Sequence, residues 1–252
     1  MPDFDSNGVR LHYEVAGPPA GPPILLVHGY CSDYELNWVG SRWQETLTGA
    51  GHLVIGLDVR GHGRSEKPHD EAAYAATELA DDAVRLLDHL GVQTAHYLGY
   101  SMGARIGLLL TVRLPERLGR VALAGIGRNG GTRAGRSTAE KIARRMRGDA
   151  SITDPGVEFF YQFAVSRPIN DLEALACCIL GPQPPISDEE LRAILRPVAV
   201  IAGDQDQLAR DAPALAEAIP GATYHAIPGR NHMNAVPARV FKEAVLAFLG
   251  DR

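Results

Sequence analysis

Cysteine is scarce: Cys31, Cys177 and Cys178 are the only three in 252 residues. An odd number, two of them adjacent, builds no disulfide framework, which points to a reducing compartment. No apolar run approaches the roughly 18 residues that a membrane-spanning helix needs. Excess positive charge is missing too. A net charge of −5 offers no basic field for nucleic acid or an anionic membrane. His12, His52, His62, His69, His89, His96 and His225 show no H-E-x-x-H or comparable spacing, so no metal is expected. The opening Met1-Pro2-Asp3-Phe4-Asp5 is acidic and lacks the basic and apolar regions of a secretion signal. No repeat or low-complexity tract appears. These absences leave a cytoplasmic protein without nucleic-acid or membrane partners, its oligomeric state open.

What is present is apolar content, 45% of residues, enough for one large core or for an α/β domain carrying an insertion. Phe4 to Val15 alternates around Asn7-Gly8, a hairpin signal. Ile24–Val27 and Leu53–Leu57 are short runs apolar on both faces, as buried parallel strands are. A helix is expected over Trp38–Leu47. Another is expected after Thr77 as N-cap, with Leu79, Ala83, Leu86, Leu87 and Leu90 on one face and Gly91 as its stop. Strands are expected at 93–98, 120–124, 198–202 and 223–227, and helices after Gly103, over Ala212–Ala218 and from Pro237. The alternation reads as an α/β fold, a mostly parallel central sheet with helices on both faces. Between about Gly127 and Leu195 the texture changes to helical segments alone, over Thr138–Arg147, Gly156–Val165, Asp171–Leu180 and Asp188–Leu195.

Gly99-Tyr100-Ser101-Met102-Gly103 joins a buried strand to a helix. A serine there sits in a tight turn that pushes its hydroxyl out over the sheet end. The turn also leaves the Met102 amide, at the helix start, free to donate to an anion. By itself Gly-x-Ser-x-Gly also describes a close helix–sheet contact, so the decision rests on a base, an acid and a second donor elsewhere. With Gly203-Asp204-Gln205-Asp206 and Gly229-Arg230-Asn231-His232 after later strands, and His28-Gly29-Tyr30 after the first central strand, the chain resembles the α/β-hydrolase family, serine-nucleophile branch.

The resemblance implies Ser101 as nucleophile, His232 as base and Asp206 as acid, with Asp204 the alternative acid. Gly125–Asn129 offers no carboxylate on the earlier strand where some relatives carry it. Asn231 stands where the family usually has glycine, and asparagine also tolerates left-handed φ. The amides of Tyr30 and Met102 are the implied oxyanion donors. His28 and the Asp58–Ser65 signature are read as structural.

The fold hosts many activities. In this resemblance the haloalkane dehalogenase and epoxide hydrolase branches carry aspartate at the elbow, against Ser101 here. Residues 1–127 and 196–252 would form the core and 128–195 a helical cap that sets specificity. Hydrolysis of a small or medium carboxylic ester or lactone through an acyl-enzyme is expected, with no cofactor. Rival readings are a carbon–carbon bond hydrolase or cofactor-free lyase acting on an anionic substrate, and a small-molecule receptor. Arg105 supports an anionic substrate, since lyases of menaquinone biosynthesis in this fold are similar at Gly-Tyr-Ser-x-Gly-x-Arg. So does a basic run of Arg128, Arg133, Arg136, Lys141, Arg144, Arg145 and Arg147. Pairing within the protein and a solvated helix face are the alternatives for these cations. Tyr100 and Cys31 are candidate pocket neighbours. Phe159, Phe160, Tyr161 and Phe163 are expected to pack the cap, one or two of them lining the pocket.

Overall fold

The computed structural model describes residues 2–128 and 136–250. β1 (Asp3–Ser6) and β2 (Val9–Ala16) pair antiparallel across Asn7-Gly8. Both turn residues take positive φ, 56° and 84°, as a two-residue hairpin requires. The chain then alternates through β3 (Pro23–Val27), α1 (Trp43–Gly49), β4 (Leu53–Leu57), α2 (Ala76–His89), β5 (Ala95–Tyr100), α3 (Met102–Arg113) and β6 (Leu118–Ala124). Among the described residues four helices follow without a strand: α4 (Arg136–Met146), α5 (Pro155–Val165), α6 (Leu172–Leu180) and α7 (Asp188–Arg192). β7 (Val198–Gly203), α8 (Ala212–Ala218), β8 (Thr223–Ile227) and α9 (Arg239–Leu249) complete it.

The eight strands form one sheet in the order β1-β2-β4-β3-β5-β6-β7-β8. β2 meets β4 antiparallel, and every pairing from β4 to β8 is parallel. Central strands are buried on both faces, and the alternation sorts them into two cores. Ile24 and Leu26 pack with Trp43 and Leu47 of α1 and Phe241 and Val245 of α9. Leu25 and Val27 pack on the opposite side with Leu79 of α2, Ile106 of α3 and Leu215 of α8. The apolar faces of α4 and α6, through Ile142 and Leu175, join this second core.

Two expectations fail locally. Trp38–Leu47 is not one helix: Glu35–Val39 makes a π-helical turn, and α1 starts only after Arg42, whose φ is 63°. Trp38 and Trp43, five residues apart, point in different directions on a single helix. Breaking it buries both rings, edge to face at 6.1 Å. Thr77 does not cap α2, which begins at Ala76 with Ala75 as N-cap and no side-chain bond. The Ala76 N–H donates instead to the Pro182 carbonyl, 2.9 Å away.

Local caps start three of the helices between β6 and β7: Asp154 on α5, Asp171 on α6, and a Ser187–Glu190 capping box on α7. Among the described residues no helix is long and apolar enough to cross a membrane.

Candidate active site

β3 leads to β4 on one side, and β5 lies against its other side. Chains leaving β3 and β5 therefore diverge, which opens a crevice at the carboxyl ends of these strands. Gly29 and Tyr30 follow β3 and Ser101 follows β5, so both sit on its rim. A Cβ on Gly29 would lie 3.5 Å from that of Ser101.

Ser101 has φ 53° and ψ −111°, a strained conformation for a residue with a side chain. The surroundings hold it there. Its N–H donates to the Ala124 carbonyl at 2.8 Å, and its carbonyl accepts from the Arg105 N–H at 3.0 Å. Gly103 lets α3 press onto the sheet, since a Cβ there would come within 2.0 Å of the Val27 carbonyl oxygen. As the first residue of α3, Met102 has an N–H with no intrahelical acceptor.

His232 bridges two side chains: Nε2 lies 2.9 Å from Ser101 Oγ and Nδ1 2.8 Å from Asp206 Oδ2. Asp206 is buried, and its other oxygen accepts from the N–H groups of Leu208 (2.9 Å) and Ala209 (3.1 Å). Asp204 instead accepts from the exposed Gly229 N–H, 2.8 Å away, so of the two aspartates it is Asp206 that reaches His232. Asn231 does not use left-handed φ; Gly229 does, at 67°. Asn231 serves as a turn former, its side-chain oxygen accepting from Met233 and Asn234 N–H.

Tyr100 does not line the crevice. It is buried behind His232, the ring centroids 5.2 Å apart, and its hydroxyl donates to the His232 carbonyl. Burial also pushes its phenol pKa upward. Its alternation on β5 turns it toward the α9 side of the sheet. Cys31 is buried outside the lining as well. His28 is fully buried, its Nε2 accepting from Val59 N–H at 3.0 Å and its Nδ1 donating to the Gly29 carbonyl at 2.8 Å. In the Asp58–Ser65 turn, Asp58 accepts from the N–H groups of Tyr34 and Arg64. Arg60 reaches Asp82 of α2 with two bonds of 2.7 Å.

A cavity of about 390 Å³ opens beside Ser101 and His232, lined mainly by apolar groups including Tyr30, Phe160, Ile179 and Leu180. No carboxylate lines it among the described residues, yet Arg105 does, 7% exposed. Its guanidinium donates to the Pro184 carbonyl, while the buried Nε has no partner. Burial lowers its pKa, but a guanidinium remains charged near neutrality.

The basic run is largely neutralised by carboxylates. Arg128 pairs with Asp188, Arg136 with Glu140, Arg144 with Asp149, Arg145 with Glu158 and Arg147 with Glu173. Arg133 lies outside the described residues. Sequence reasoning missed Cys178, Gln183 and Leu208 in the lining, which carry no motif.

A family model described as alpha/beta hydrolase fold matches residues 22–151, more than half of the chain. The chain belongs to the alpha/beta hydrolase fold family. An epoxide hydrolase of Caballeronia sordidicola is 31% identical over 169 residues, 67% of this chain and 46% of that protein. Rhodomycin D methylesterase DauP of Streptomyces sp. (strain C5) is 41% identical over 112 residues, 44% of this chain and 37% of that protein. The chain spans less than half the length of these curated relatives. The crystal structure of an enol-lactonase from Burkholderia xenovorans LB400 superposes with a TM-score of 0.82 at 26% identity, covering 99% of this chain and 100% of that one. The names of these alpha/beta hydrolases span two kinds of bond, the epoxide and the carboxylic ester in open or cyclic form, so the bond cleaved here must be argued from the site.

Proposed function

We propose that this alpha/beta hydrolase cleaves a small or medium carboxylic ester or lactone through an acyl-enzyme formed on Ser101. The observation that carries the reading is the continuous path from Ser101 Oγ through both nitrogens of His232 to buried Asp206. His232 Nε2 removes the proton as Oγ adds to the acyl carbonyl. Asp206 keeps the proton on Nδ1 and stabilises the imidazolium. The amides of Tyr30 and Met102 receive the developing oxyanion, each donor of this kind contributing about 3 kcal/mol. His232 then protonates the leaving oxygen and activates the water that releases the acid. Helices α4–α7, within residues 128–195, act as a cap that walls the cavity with Phe160 and Ile179.

The chemistry of serine favours acyl transfer over epoxide opening. A serine that opened an epoxide would be left as an ether, which has no carbonyl for water to attack. A serine ester can be hydrolysed by the same His232.

Arg105 favours a second reading, carbon–carbon hydrolysis or a cofactor-free lyase reaction on an anionic substrate, because its buried charge faces the cavity with no carboxylate partner among the described residues. Both readings are tested by hydrolysis of p-nitrophenyl esters from acetate to decanoate by wild type and Ser101→Ala. The ester reading expects a burst of p-nitrophenol and its loss in the variant. Activity confined to anionic β-diketones or lyase substrates would select the second.

A further inference from the structure

Three residues of the loop after β3 are tethered to the segment running from the end of α5 into α6. The Tyr30 hydroxyl donates to the Leu175 carbonyl at 2.8 Å. Asn170 Nδ2 donates to the Cys31 carbonyl at 3.1 Å and to the Ala164 carbonyl at the same distance. Arg167 forms an ion pair with Asp33, whose other carboxylate oxygen accepts from the Leu36 N–H at 2.8 Å. The Asp33 side chain is only 3% exposed.

These tethers act on a strained turn. Cys31 has φ 62°, a left-handed conformation that persists only where neighbours over-determine it. The peptide that carries the Tyr30 N–H begins at the Gly29 carbonyl. That carbonyl is gripped by His28 Nδ1 (2.8 Å) and by the Ser32 N–H (3.2 Å). Ser32 stays in place only while residues 31–33 hold their turn, and Asn170 and Arg167 grip both ends of it. The direction of the Tyr30 N–H is thus set from the helical layer.

We infer that Asn170 and Arg167 are positioning residues for the Tyr30 amide, so that seating the helical layer on the sheet and assembling the oxyanion site are one event. The inference rests on the reading of Tyr30 as an oxyanion donor. A tether that merely glued helices to the sheet would affect stability or substrate affinity. A tether that aims a donor acts on the transition state, where small displacements cost large factors in rate.

The test is p-nitrophenyl ester kinetics, together with inactivation by an active-serine phosphonate, for wild type, Asn170→Ala, Arg167→Met, Arg167→Lys and Arg147→Gln. Asn170→Ala and Arg167→Met should each lower kcat by about 10- to 100-fold with KM within about threefold, and slow phosphonate inactivation in parallel. Arg167→Lys keeps the ion pair and should recover most of the rate. Arg147→Gln breaks the Arg147–Glu173 pair in the same layer without touching the loop, and should match wild type. Should Asn170→Ala fail to fold, Asn170→Asp keeps the shape, removes the donor and carries the same expectation. Folded variants with wild-type kcat, or with a raised KM at constant kcat, overturn the inference. Ser101→Ala, measured alongside, separates the two ideas: if it keeps wild-type rates, the serine reading itself has failed. A wild type that neither turns over esters nor reacts with the phosphonate overturns both.

Discussion

Acid should destabilise this protein well above the range where carboxylates titrate, and His62 is the reason. Its ring is fully buried, 5.3 Å from the ring of His28 and 5.9 Å from that of Tyr30. Nδ1 reaches the Arg60 carbonyl at 3.1 Å, and Nε2 has no partner among the described residues. Burial is the main cause that pushes its pKa down from 6.5 to about 3, with the neighbouring His28 adding to it. The folded state therefore refuses a proton that the unfolded chain accepts below about pH 6.5. A depressed histidine supports stability above the unfolded pKa, and that support drains away as pH falls toward the folded one, with a limiting slope of about 1.4 kcal/mol per pH unit. For pKa values of 6.5 and about 3, the loss from pH 7 to pH 5 is about 2 kcal/mol. His28, whose pKa burial also lowers, adds in the same direction. Urea unfolding at pH 7, 6 and 5, followed by fluorescence of the buried Trp38 and Trp43, measures the loss. His62→Gln lowers stability overall by losing the ring contacts, but its loss between pH 7 and 5 should be smaller than wild type by about 2 kcal/mol. Equal losses in the two proteins would refute the reasoning. So would a His62 ring that titrates near pH 6.5 in the NMR spectrum of the folded protein.

Two further outcomes test the frame around the site. Arg60→Met leaves the fully buried carboxylate of Asp82 with the Ser6 hydroxyl and a 3.3 Å ion pair to the partly exposed Arg85. Urea unfolding should show a loss of about 3 kcal/mol, much of it recovered in Arg60→Met/Asp82→Leu, where no fully buried charge is left behind. Gly107→Ala places a Cβ 2.2 Å from the ring of Tyr97, whose hydroxyl donates to the Gly103 carbonyl at 2.6 Å. Forcing α3 away from β5 should cost about 1–3 kcal/mol by thermal melting, and it should lower kcat on any ester that wild type cleaves.

Most strand-to-loop junctions were legible because they are announced locally: in the central strands a run apolar on both faces stops at a turn containing glycine. That is why most strands and the hairpin can be read before any contact is known, whereas singling out Ser101, Asp206 and His232 also needed the resemblance to the α/β-hydrolase family. What a side chain does at such a junction is decided by partners far along the chain, and there local reading weakens. Tyr100 sits beside the serine in sequence but faces the opposite core, because alternation on β5 turns it away from the cavity. Arg145 of α4 and Arg147 just after it look like part of a basic patch until Glu158 and Glu173 arrive from other helices to pair with them. Trp38 and Trp43 satisfy two burial demands that one straight helix cannot meet, and the break at Arg42 is the result. Arg105 makes the same point in reverse. No window of sequence shows that a charge lacks a partner, since that needs every neighbouring element in place. Only the folded cavity, with its mainly apolar lining and no carboxylate among the described residues, shows that this helical arginine is buried with its charge uncompensated by a carboxylate.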